Sequence, residues 1–593
     1  MSAPAFRITV IVFLILACGA GRFAVADDEL DSVMYEDPHV EFPPPVPVFP
    51  EKLKQLWLEA LAHPEADLKR DVARAIGRAH RLELPGLRET ATPLTRELQT
   101  PRQHPLVRLA IARTLVALDA RESADTLFRQ LDAGGFSLAL LVEPALAKWD
   151  FQPAREMWLT RLKQRPFASR ELSLLAIRGL GTVKESAAAE PLLSLVNANE
   201  ASSAIRLEAA RSLARVQSDG LLDEARRLAS DESRQGMFER LVAASMLAGH
   251  RGADVESFLL GLAVDSEPAV AAVALARLLE INPALVLPII ETTIASADAN
   301  VRQLGARAMA ARPSGKNVTY LGAMLDDRHP DARTFVRRTL QIFATESDLR
   351  AEVIAAATEM LASEKWRGLE QTVRLLTELD HKPAVDRMLT LLDFERPEVF
   401  VTAAWGLRRL AVPRTLDAML EKAQRETDAA HDPKGGSQHP EAVDLAVSQL
   451  FQAFAQMKYT RSESLLRRHV PKSAAMLESR AAAIWTLGHF HAGKPVPELT
   501  TQFVARLSDV NPFDPEDEGV RRMCAVSLGR MKAKDGLSAL EKFYKAETPN
   551  SLVGYSCRWS IHEITGTELP GPVATIKSHS NWFLVPTGAN PAK

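Results

Sequence analysis

Residues 104–118 read HPLVRLAIARTLVAL, and this stretch decides the fold. From Val107, small or apolar residues follow at offsets of 3, 4, 8 and 11, where Ala110, Ile111, Leu115 and Leu118 stand. An α-helix turns once in about 3.6 residues, so these offsets line one stripe of a helix. The stretch therefore predicts an amphipathic helix that has to bury this stripe against a neighbour.

The same offsets recur along the chain. They fit without change from Leu172 and from Val270, and with one or two substitutions from ten further anchors. The spacings from Leu172 to Ala332 are 33, 33, 32, 31 and 31 residues. Two wider gaps, of 65 and 67 residues, each predict a degenerate unit, within residues 136–163 and 365–392. The ten further anchors are Leu68, Ile205, Phe238, Val301, Ala332, Val399, Val443, Ser479, Val520 and Val553.

Each repeat unit continues, after a short break, into a second apolar helix, as in residues 284–295 and 318–325. Neither helix of such a pair can bury its stripe alone, so neighbouring pairs must stack. A chain of 593 residues is also too long for one compact core. We therefore expect an all-α fold, a right-handed superhelix of about fifteen helix pairs over residues 51–565.

The turns before the anchors carry a family resemblance. They read HPLVR at 104–108, DANVR at 298–302, HPDAR at 329–333 and EGVR at 518–521. This pattern resembles HEAT repeats of the short type, which form armadillo-like α-solenoids. The resemblance implies a non-catalytic scaffold that binds protein partners along a concave face, here formed by the second helices. The repeats are also similar to those of the HEAT-like bilin lyases, so a lyase-type enzyme is the alternative.

Residues 1–26 have the order of a secretory signal peptide. Arg7 precedes an apolar run at 8–17, and a small-x-small triplet ends at Ala26, which predicts cleavage after Ala26. Two alternatives are lipidation at Cys18, which ends the lipobox-like sequence ILAC, and an uncleaved anchor. We expect an exported bacterial protein, periplasmic or extracellular. It would contact a membrane only if it is lipidated or uncleaved, and a lipid-anchored structural role in the envelope is the alternative.

Two segments flank the predicted solenoid. Residues 27–50 are acidic and then Pro-rich, which favours an extended linker, with docking to a partner as the alternative. Residues 566–593 depart from the repeat and resemble the endings of exported bacterial HEAT-like proteins. We expect this extended tail to cap the uncovered face of the last repeat with Trp582 and Phe583; the alternative is that these side chains dock a partner.

The charge of the chain argues against a nucleic-acid partner. The formal net charge is -3, or -5 without Arg7 and Arg22 of the predicted signal peptide. Arginines do recur one place after the anchors, but we expect them to pair with acids, for example Asp298 or Asp331, or with carbonyls of the neighbouring unit. These arginines are Arg108, Arg206, Arg302, Arg333, Arg480 and Arg521.

Two cysteines lie in the predicted mature chain. Cys524 and Cys557 are 33 residues apart and both occupy the +4 position of the pattern. Their helices are expected side by side, which makes a disulfide feasible, and an exported compartment permits one. The alternative is two buried free thiols that fill a small slot.

Other polar clusters are expected to be structural. Residues two apart on a helix point in diverging directions, so His489 and His491, with His469 upstream, are not expected to share a metal ion. We expect these histidines on the surface near helix ends. The acidic stretch 509–518 is expected to stabilise the N-terminus of the next helix rather than bind Ca²⁺. Residues 427–440 are expected as a loop that stays a candidate for partner binding. We expect neither a metal nor a cofactor.

The sequence contains no hydrolase nucleophile motif, no kinase set and no dinucleotide-binding glycine motif. We therefore expect a protein that is not an enzyme and whose partners are proteins.

Overall fold

The computed structural model describes residues 30–44, 46–48, 52–164, 167–230, 236–346, 348–431, 437–473, 475–547, 550–574, 576–578 and 582–584. Within these residues the fold is all-α apart from one pair of three-residue strands, which confirms the expected fold class. The predicted signal peptide, with Cys18 and Ala26, lies outside them, and so do residues 432–436 of the predicted loop. No helix of the described residues is both long and apolar enough to cross a membrane.

Helices that carry an anchor, or that take its place in the two degenerate units, alternate with helices that do not. We call the former first helices, with even numbers, and the latter second helices, with odd numbers. The first helices are α2 Ala66–Arg81, α4 Pro105–Ala117, α6 Leu131–Lys148, α8 Arg170–Thr182, α10 Ser203–Val216, α12 Gly236–Met246, α14 Pro268–Ile281, α16 Ala299–Ala310, α18 Pro330–Glu346, α20 Trp366–Glu378, α22 Pro397–Leu410, α24 Pro440–Gln456, α26 Leu477–Phe490, α28 Glu518–Arg530 and α30 Leu552–Thr565.

The second helices are generally shorter. They are α1 Leu53–Leu61, α3 Ala91–Leu98, α5 Ala124–Arg129, α7 Gln152–Lys163, α9 Ala189–Asn197, α11 Leu222–Ala229, α13 Ala253–Ala263, α15 Ile290–Ile294, α17 Gly315–Met324, α19 Arg350–Leu361, α21 Val385–Leu391, α23 Leu416–His431, α25 Glu463–Arg468, α27 Pro497–Leu507 and α29 Leu537–Ala546. The two degenerate units are present, as α6 with α7 and as α20 with α21.

The anchor pattern is the buried stripe of the first helices. In α4 the side chains of Val107, Ile111 and Leu115 are fully buried. Several of these helices start at a side-chain cap: Ser169 accepts from the Leu172 N–H, and Asp517 accepts in the same way at the start of α28. The caps satisfy backbone donors that a helix leaves free at its start, so the sequence marks both the face and the beginning of the helix.

The first helices end in a repeated turn. A residue with left-handed backbone follows many of them, such as Asp119 with φ 49° and Lys532 with φ 56°. The next N–H then bonds to a carbonyl five residues earlier, as Ala533 does to Leu528 at 3.0 Å. This is the Schellman closure of a helix. A short 3₁₀ turn then leads into the second helix, at Arg88–Thr90, Arg121–Ser123, Ser186–Ala188, Lys382–Ala384, Pro413–Thr415, Thr460–Ser462 and Lys534–Gly536.

One predicted second helix is broken. Residues 284–295 form the 3₁₀ turns Pro283–Leu285 and Leu287–Ile289 followed by the short α15. The prediction of one continuous helix there is wrong, because Pro288 has no N–H to donate to the preceding turn. Residues 318–324, by contrast, lie in α17 as expected.

Small residues let consecutive first helices touch near the end of the array. Gly488 of α26 lies against Ser527 of α28, and Gly529 of α28 lies against Ser560 of α30. Ser560 Oγ also donates to the carbonyl of Ala525 on the preceding first helix, at 2.7 Å. The second helices in this part pack mainly on the first helix that follows them in the chain. Consecutive first helices are therefore in direct contact with each other.

The chain divides into two compact units, each completed by one end of the chain. The C-terminal unit comprises the chain up to Pro44 together with Met309–Ala574. The N-terminal unit comprises Pro45–Ala308 together with the chain from Thr575 onward.

In the N-terminal unit, the C-terminal tail packs on the beginning of the array. β1, Val46–Val48, pairs in parallel with β2, Ile576–Ser578. Beyond β2, buried Trp582 packs edge-on against Trp57 of α1, with 5.8 Å between ring centroids. Trp57 Nε1 donates to the carbonyl of Phe583 at 2.6 Å.

The prediction that Trp582 and Phe583 cap the last repeat is therefore wrong. An array has an uncovered apolar face at its start as well as at its end, and these residues cover the start. The last repeat is contacted by the preceding part of the tail, where Arg558 of α30 donates to the carbonyl of Leu569 at 2.8 Å.

Candidate protein-binding site

In the C-terminal unit, the N-terminal segment lies across five first helices. We call residues 30–44 the strap, and we call the surface of α22, α24, α26, α28 and α30 that it contacts the strap site. The contacts follow the chain, from Asp31 on α22 to Phe42 on α30. The sequence predicts an extended linker over residues 27–50. The described part up to residue 44 is instead packed on the repeats, because its acidic side chains meet cationic and aromatic partners there.

Asp31 fixes the start of the strap. Trp405 Nε1 donates to Asp31 Oδ1 at 2.6 Å, and Arg408 Nη2 donates to Oδ2 at 2.8 Å. Arg408 and Gln449 of α24 also donate to the Asp31 backbone carbonyl, at 2.9 and 3.1 Å. Burial raises the pKa of the Asp31 carboxyl, but hydrogen bonds from Trp405 and Arg408 outweigh burial and hold the pKa below its usual value. Asp31 is therefore bound as an anion.

Met34 and Tyr35 form the middle of the strap, in a short 3₁₀ turn. Met34 is fully buried, and its N–H donates to Gln452 Oε1 of α24 at 3.3 Å. The Tyr35 hydroxyl donates to Glu478 of α26 at 2.9 Å. Arg522 of α28 donates to the Tyr35 carbonyl at 2.8 Å and lies over the Tyr35 ring. The side chains of Met34 and Tyr35 thus fix the centre of the strap on the strap site.

Asp37 is the second acidic contact. Arg530 Nη2 of α28 donates to Asp37 Oδ1 at 2.7 Å, and Trp485 Nε1 of α26 donates to Oδ2 at 3.2 Å. His489 Nε2 lies 2.9 Å from the same Oδ2. Burial raises the pKa of the Asp37 carboxyl, but the His489 hydrogen bond and the Arg530 charge outweigh it and lower the pKa below its usual value. Pro38, the next residue, is buried.

Tyr555 of α30 holds the last part of the strap. Its hydroxyl donates to the His39 carbonyl at 2.8 Å, and its ring meets Phe42 edge-on, 6.1 Å between centroids. The backbone carbonyls of Asp31, Tyr35 and His39, every fourth residue, all accept from side chains of the strap site. These contacts depend on the course of the backbone and not on the identity of the strap side chains.

The arrangement is suited to binding a peptide segment. Tryptophan and arginine side chains donate to two carboxylates, and arginine, glutamine and tyrosine side chains donate to three carbonyls. The side chain of Met34 is fully buried beside them. Trp, Tyr and Arg are the residue types that dominate the energetics of protein–protein interfaces. Nothing in these contacts requires chemistry at the bound segment.

The recurring arginines point into the protein. Arg206 holds Glu239 through both of its terminal nitrogens, at 2.6 and 2.7 Å, and Arg480 holds Glu516 at 2.9 and 2.8 Å. Both pairs are buried. The expected pairing with acids is confirmed for Arg206 and Arg480, and backbone carbonyls accept from Arg108, Arg302, Arg333 and Arg521. Asp298, one of the acids expected as a partner, accepts from the N–H groups of Asn300 and Val301 at the start of α16.

The three histidines have separate surroundings. His489 faces the strap, whereas His491 Nε2 lies 3.1 Å from Glu463. The expected surface position is wrong for His469, which is buried against the ring of Phe451; burial lowers the pKa of His469 to about 3. Among the described residues, no three candidate ligands converge on one point where a metal ion fits.

The acidic stretch 509–518 supports the start of α28. Asp517 accepts from the Val520 N–H at 3.1 Å, as the helix-start prediction requires. Glu516 lies behind it in the buried pair with Arg480, and Asp509 and Asp514 both pair with Lys472 at 3.0 Å.

Cys524 and Cys557 are both free and buried. The disulfide that their spacing makes feasible is not formed, and the alternative of two thiols in small apolar slots describes the structure. Burial raises the pKa of the Cys557 thiol to about 12 and also raises the pKa of Cys524. A thiol that stays protonated is a poor nucleophile.

A cavity of about 320 Å³ lies between α22, α23 and α24, beside the predicted loop at 427–440. Lys422 on its wall pairs with Asp393 at 2.9 Å and with Glu426 at 2.7 Å. Its described lining includes the acids Asp393, Glu395 and Glu426 and neither Cys524 nor Cys557. The helix α23 extends to His431, so the loop is shorter than the sequence predicts.

Sequence reasoning missed the strap site, although the sequence carries a signal for it. Trp405, Gln449 and Trp485 stand six residues after their anchors, at an offset that points away from the buried stripe. In most other units this position holds arginine or alanine. Large aromatic and amide side chains at an otherwise exposed offset indicate a surface that is covered by another segment.

Comparisons with known proteins bear on the fold. No protein-family model matches the sequence, and no curated protein matches it. The structure described as Kap95p binding to RanGDP has a TM-score of 0.51 and 13% identity, over 86% of this chain and 72% of that chain. Yeast importin-beta (Kap95p) has a TM-score of 0.46 and 13% identity, over 87% of this chain and 73% of that chain.

Kap121p bound to the extreme C-terminus of the protein phosphatase Cdc14p has a TM-score of 0.47 and 12% identity, over 87% of this chain and 57% of that chain. The Kap95p structure with the TM-score of 0.51 is a HEAT-repeat solenoid, as the repeats of this sequence predict. The chain therefore has the HEAT-repeat α-solenoid fold.

Proposed function

We propose that this protein is an exported, non-catalytic scaffold that binds a protein partner on the first helices of its C-terminal unit. The observation that carries the proposal is the strap. Five consecutive first helices bind a chain segment through tryptophan, arginine, glutamine and tyrosine side chains, and a surface that binds one segment in this way has the donors to bind another.

The strap favours the first helices over the second helices as the binding face. Trp405, Trp485 and Tyr555 all contact the strap from first helices. The resemblance to HEAT repeats implies a binding face on the second helices, but no comparable cluster of aromatic and cationic side chains holding a segment is described there. The Kap95p structure, described as Kap95p binding to RanGDP, supports protein binding as a use of this fold.

The export part of the proposal rests on residues 1–26. Cleavage after Ala26 would leave the whole strap in the mature protein, since its contacts begin at Asp31. The intact mass of the protein from its native host tests this. A chain that starts at Asp27 without lipid supports export as a free protein, whereas a lipid-bearing chain that starts at Cys18 supports the envelope lipoprotein.

The scaffold is tested by affinity capture from the exported fraction of the host. The baits are the full mature chain, the variant R408E/R530E in the strap site, and the control R425E/R461E. Arg425 and Arg461 are exposed and pair with Asp393 and Asp417 rather than with the strap, and their reversal changes the net charge by the same amount.

We expect a partner that the wild type and the control capture and that R408E/R530E loses while it stays helical by circular dichroism. A partner lost only by the control would move the binding face to the second helices. Baits that capture no protein at all would overturn the scaffold.

A further inference from the structure

We propose that the strap is an exchangeable occupant of its site, and that the partner binds there with an extended segment of the same chemistry. That segment carries two carboxylates six residues apart, with an apolar and an aromatic side chain between them, as Asp31, Met34, Tyr35 and Asp37 do in the strap. This inference rests on the proposed scaffold function and names the class of partner.

The charges of the strap site select an acidic occupant. Arg408 and Arg522 are buried, and Arg530 is only 12% exposed. Glu478 is the acid of the site that contacts the strap, and it is engaged by the Tyr35 hydroxyl. Leaving buried guanidinium groups without carboxylates is costly, so a segment without acids at these positions is rejected.

The remaining contacts accept many sequences. Three carbonyls of the strap are bound through the backbone alone, and the side chains of Glu36, His39 and Glu41 are exposed. The site therefore recognises the two carboxylates and the Met-Tyr pair, with further side-chain contacts to Pro38 and Phe42. It makes no such demand on the exposed side chains of the strap. A segment from another protein meets these requirements as well as the strap does.

The strap can leave without taking the repeats apart. The first helices beneath it pack directly on each other, through contacts such as Gly488 on Ser527 and Gly529 on Ser560. The strap itself adds no strand or helix to a shared ladder, and the Asp31 and Asp37 side chains remain 47% and 33% exposed. Water and a competing segment can therefore reach both carboxylates.

A tether favours the resident strap. A segment joined to its own site acts at an effective concentration of about millimolar, so a partner competes poorly until the strap is weakened. The variant D31N/D37N weakens the strap by removing the two charges that Arg408 and Arg530 bind, while keeping the size of the side chains. The control E36Q/E41Q removes the same charge from exposed positions of the same segment.

The probe is a fluorescently labelled peptide of residues 30–44, LDSVMYEDPHVEFPP, and the readout is fluorescence anisotropy with the full mature chain. We expect D31N/D37N to bind it at least about tenfold more tightly than the wild type or the control E36Q/E41Q. A peptide with Asn in place of both Asp31 and Asp37 should bind at least about tenfold more weakly than the unmodified peptide. If folded D31N/D37N binds no more tightly than the wild type, the strap is a fixed part of the fold and the inference is overturned.

Deuterium exchange of the wild type gives a second test that needs no variant. With excess unlabelled peptide, the amides of residues 30–44 should exchange faster while those of α26 keep their protection. Unchanged exchange of the strap at saturating peptide would overturn the inference. The affinity capture can still succeed in that case, through another face, so the two proposals fail separately.

Discussion

Asp37 and Arg530 are 493 residues apart in sequence, and Arg530 Nη2 donates to Asp37 Oδ1 at 2.7 Å. This contact joins the beginning of the chain to one of its last first helices. It also places a negative charge of the strap between Arg530 and His489, where no other charged group of the strap reaches. The pair is therefore the natural point at which to weaken the strap.

Replacing Asp37 with Asn should loosen the strap. A hydrogen bond to a charged group is worth about 1.5–3 kcal/mol, so the amides of residues 30–44 should exchange about 10–100 times faster with deuterium. The control is E36Q, which removes the same charge from a neighbouring side chain that is 70% exposed. E36Q should change the exchange by less than about twofold, and an equal effect of the two variants would refute the assigned role of Asp37.

Strap docking should weaken at acid pH. The pKa values of Asp31 and Asp37 are lowered in the docked state, so docking is strong above the usual Asp value of about 3.9 and is lost as the pH falls below it. Glu478 acts in the opposite direction. Burial raises the pKa of its carboxyl, so its contribution to strap docking is lost as the pH rises. Two carboxylates outweigh one, so the net effect is release at low pH.

The measurement is tryptophan fluorescence between pH 6 and pH 3, since Trp405 and Trp485 both bond to strap carboxylates. The wild type should show a transition below about pH 4 that D31N/D37N lacks. Superimposable curves for the two proteins would show that the strap carboxylates do not control docking.

The close packing of first helices can be tested at Gly529. A Cβ added there would lie 2.7 Å from the Ser560 Cα, so G529A should destabilise the protein by about 1–3 kcal/mol. G261A in α13 is the matched control, because its Cβ would meet no atom within 4 Å. Alanine is the better helix former by about 0.5–1 kcal/mol, so G261A should be neutral or stabilising in urea unfolding. A G529A variant as stable as G261A would contradict the backbone contact.

The cysteines should react only after unfolding. Burial raises the pKa of Cys557 to about 12, and neither thiol is exposed. A thiol reagent such as Ellman's reagent should therefore label the native mature chain negligibly and label both residues in denaturant without a reductant. Labelling of neither residue in denaturant would mean that the disulfide forms after all.

The repeat could be predicted from the sequence because the same offsets occur in many units. The offsets that place Val107, Ile111 and Leu115 on one stripe return in unit after unit, and a local pattern fixes a helix and its buried face together. The break at Pro288 could not be predicted from the pattern, since apolar periodicity does not indicate that a backbone N–H is missing. The spacing of Cys524 and Cys557 likewise permitted either a disulfide or two free thiols, because the two residues occupy equivalent positions on neighbouring first helices.

The strap could not be predicted in the same way. Its contacts join residues more than 370 positions apart, such as Asp31 with Trp405, and no periodic pattern connects them. The acidic and Pro-rich composition favours an extended chain, which is correct for much of the strap, but composition does not tell whether an extended chain is docked. Trp405 and Trp485, six residues after their anchors, indicate a covered surface but do not indicate which segment covers it.

A covalent lock between the strap and α24 tests whether the partner binds at the strap site. Ser32 Oγ lies 2.9 Å from Gln452 Nε2, so the thiols of S32C/Q452C can be joined by a short thiol-specific cross-linker while the buried native cysteines stay inert. We expect the unlocked variant to bind the labelled peptide of residues 30–44 and the captured partner, and the locked variant to bind neither. Equal binding by the locked and unlocked proteins would show that the strap site is not the binding surface.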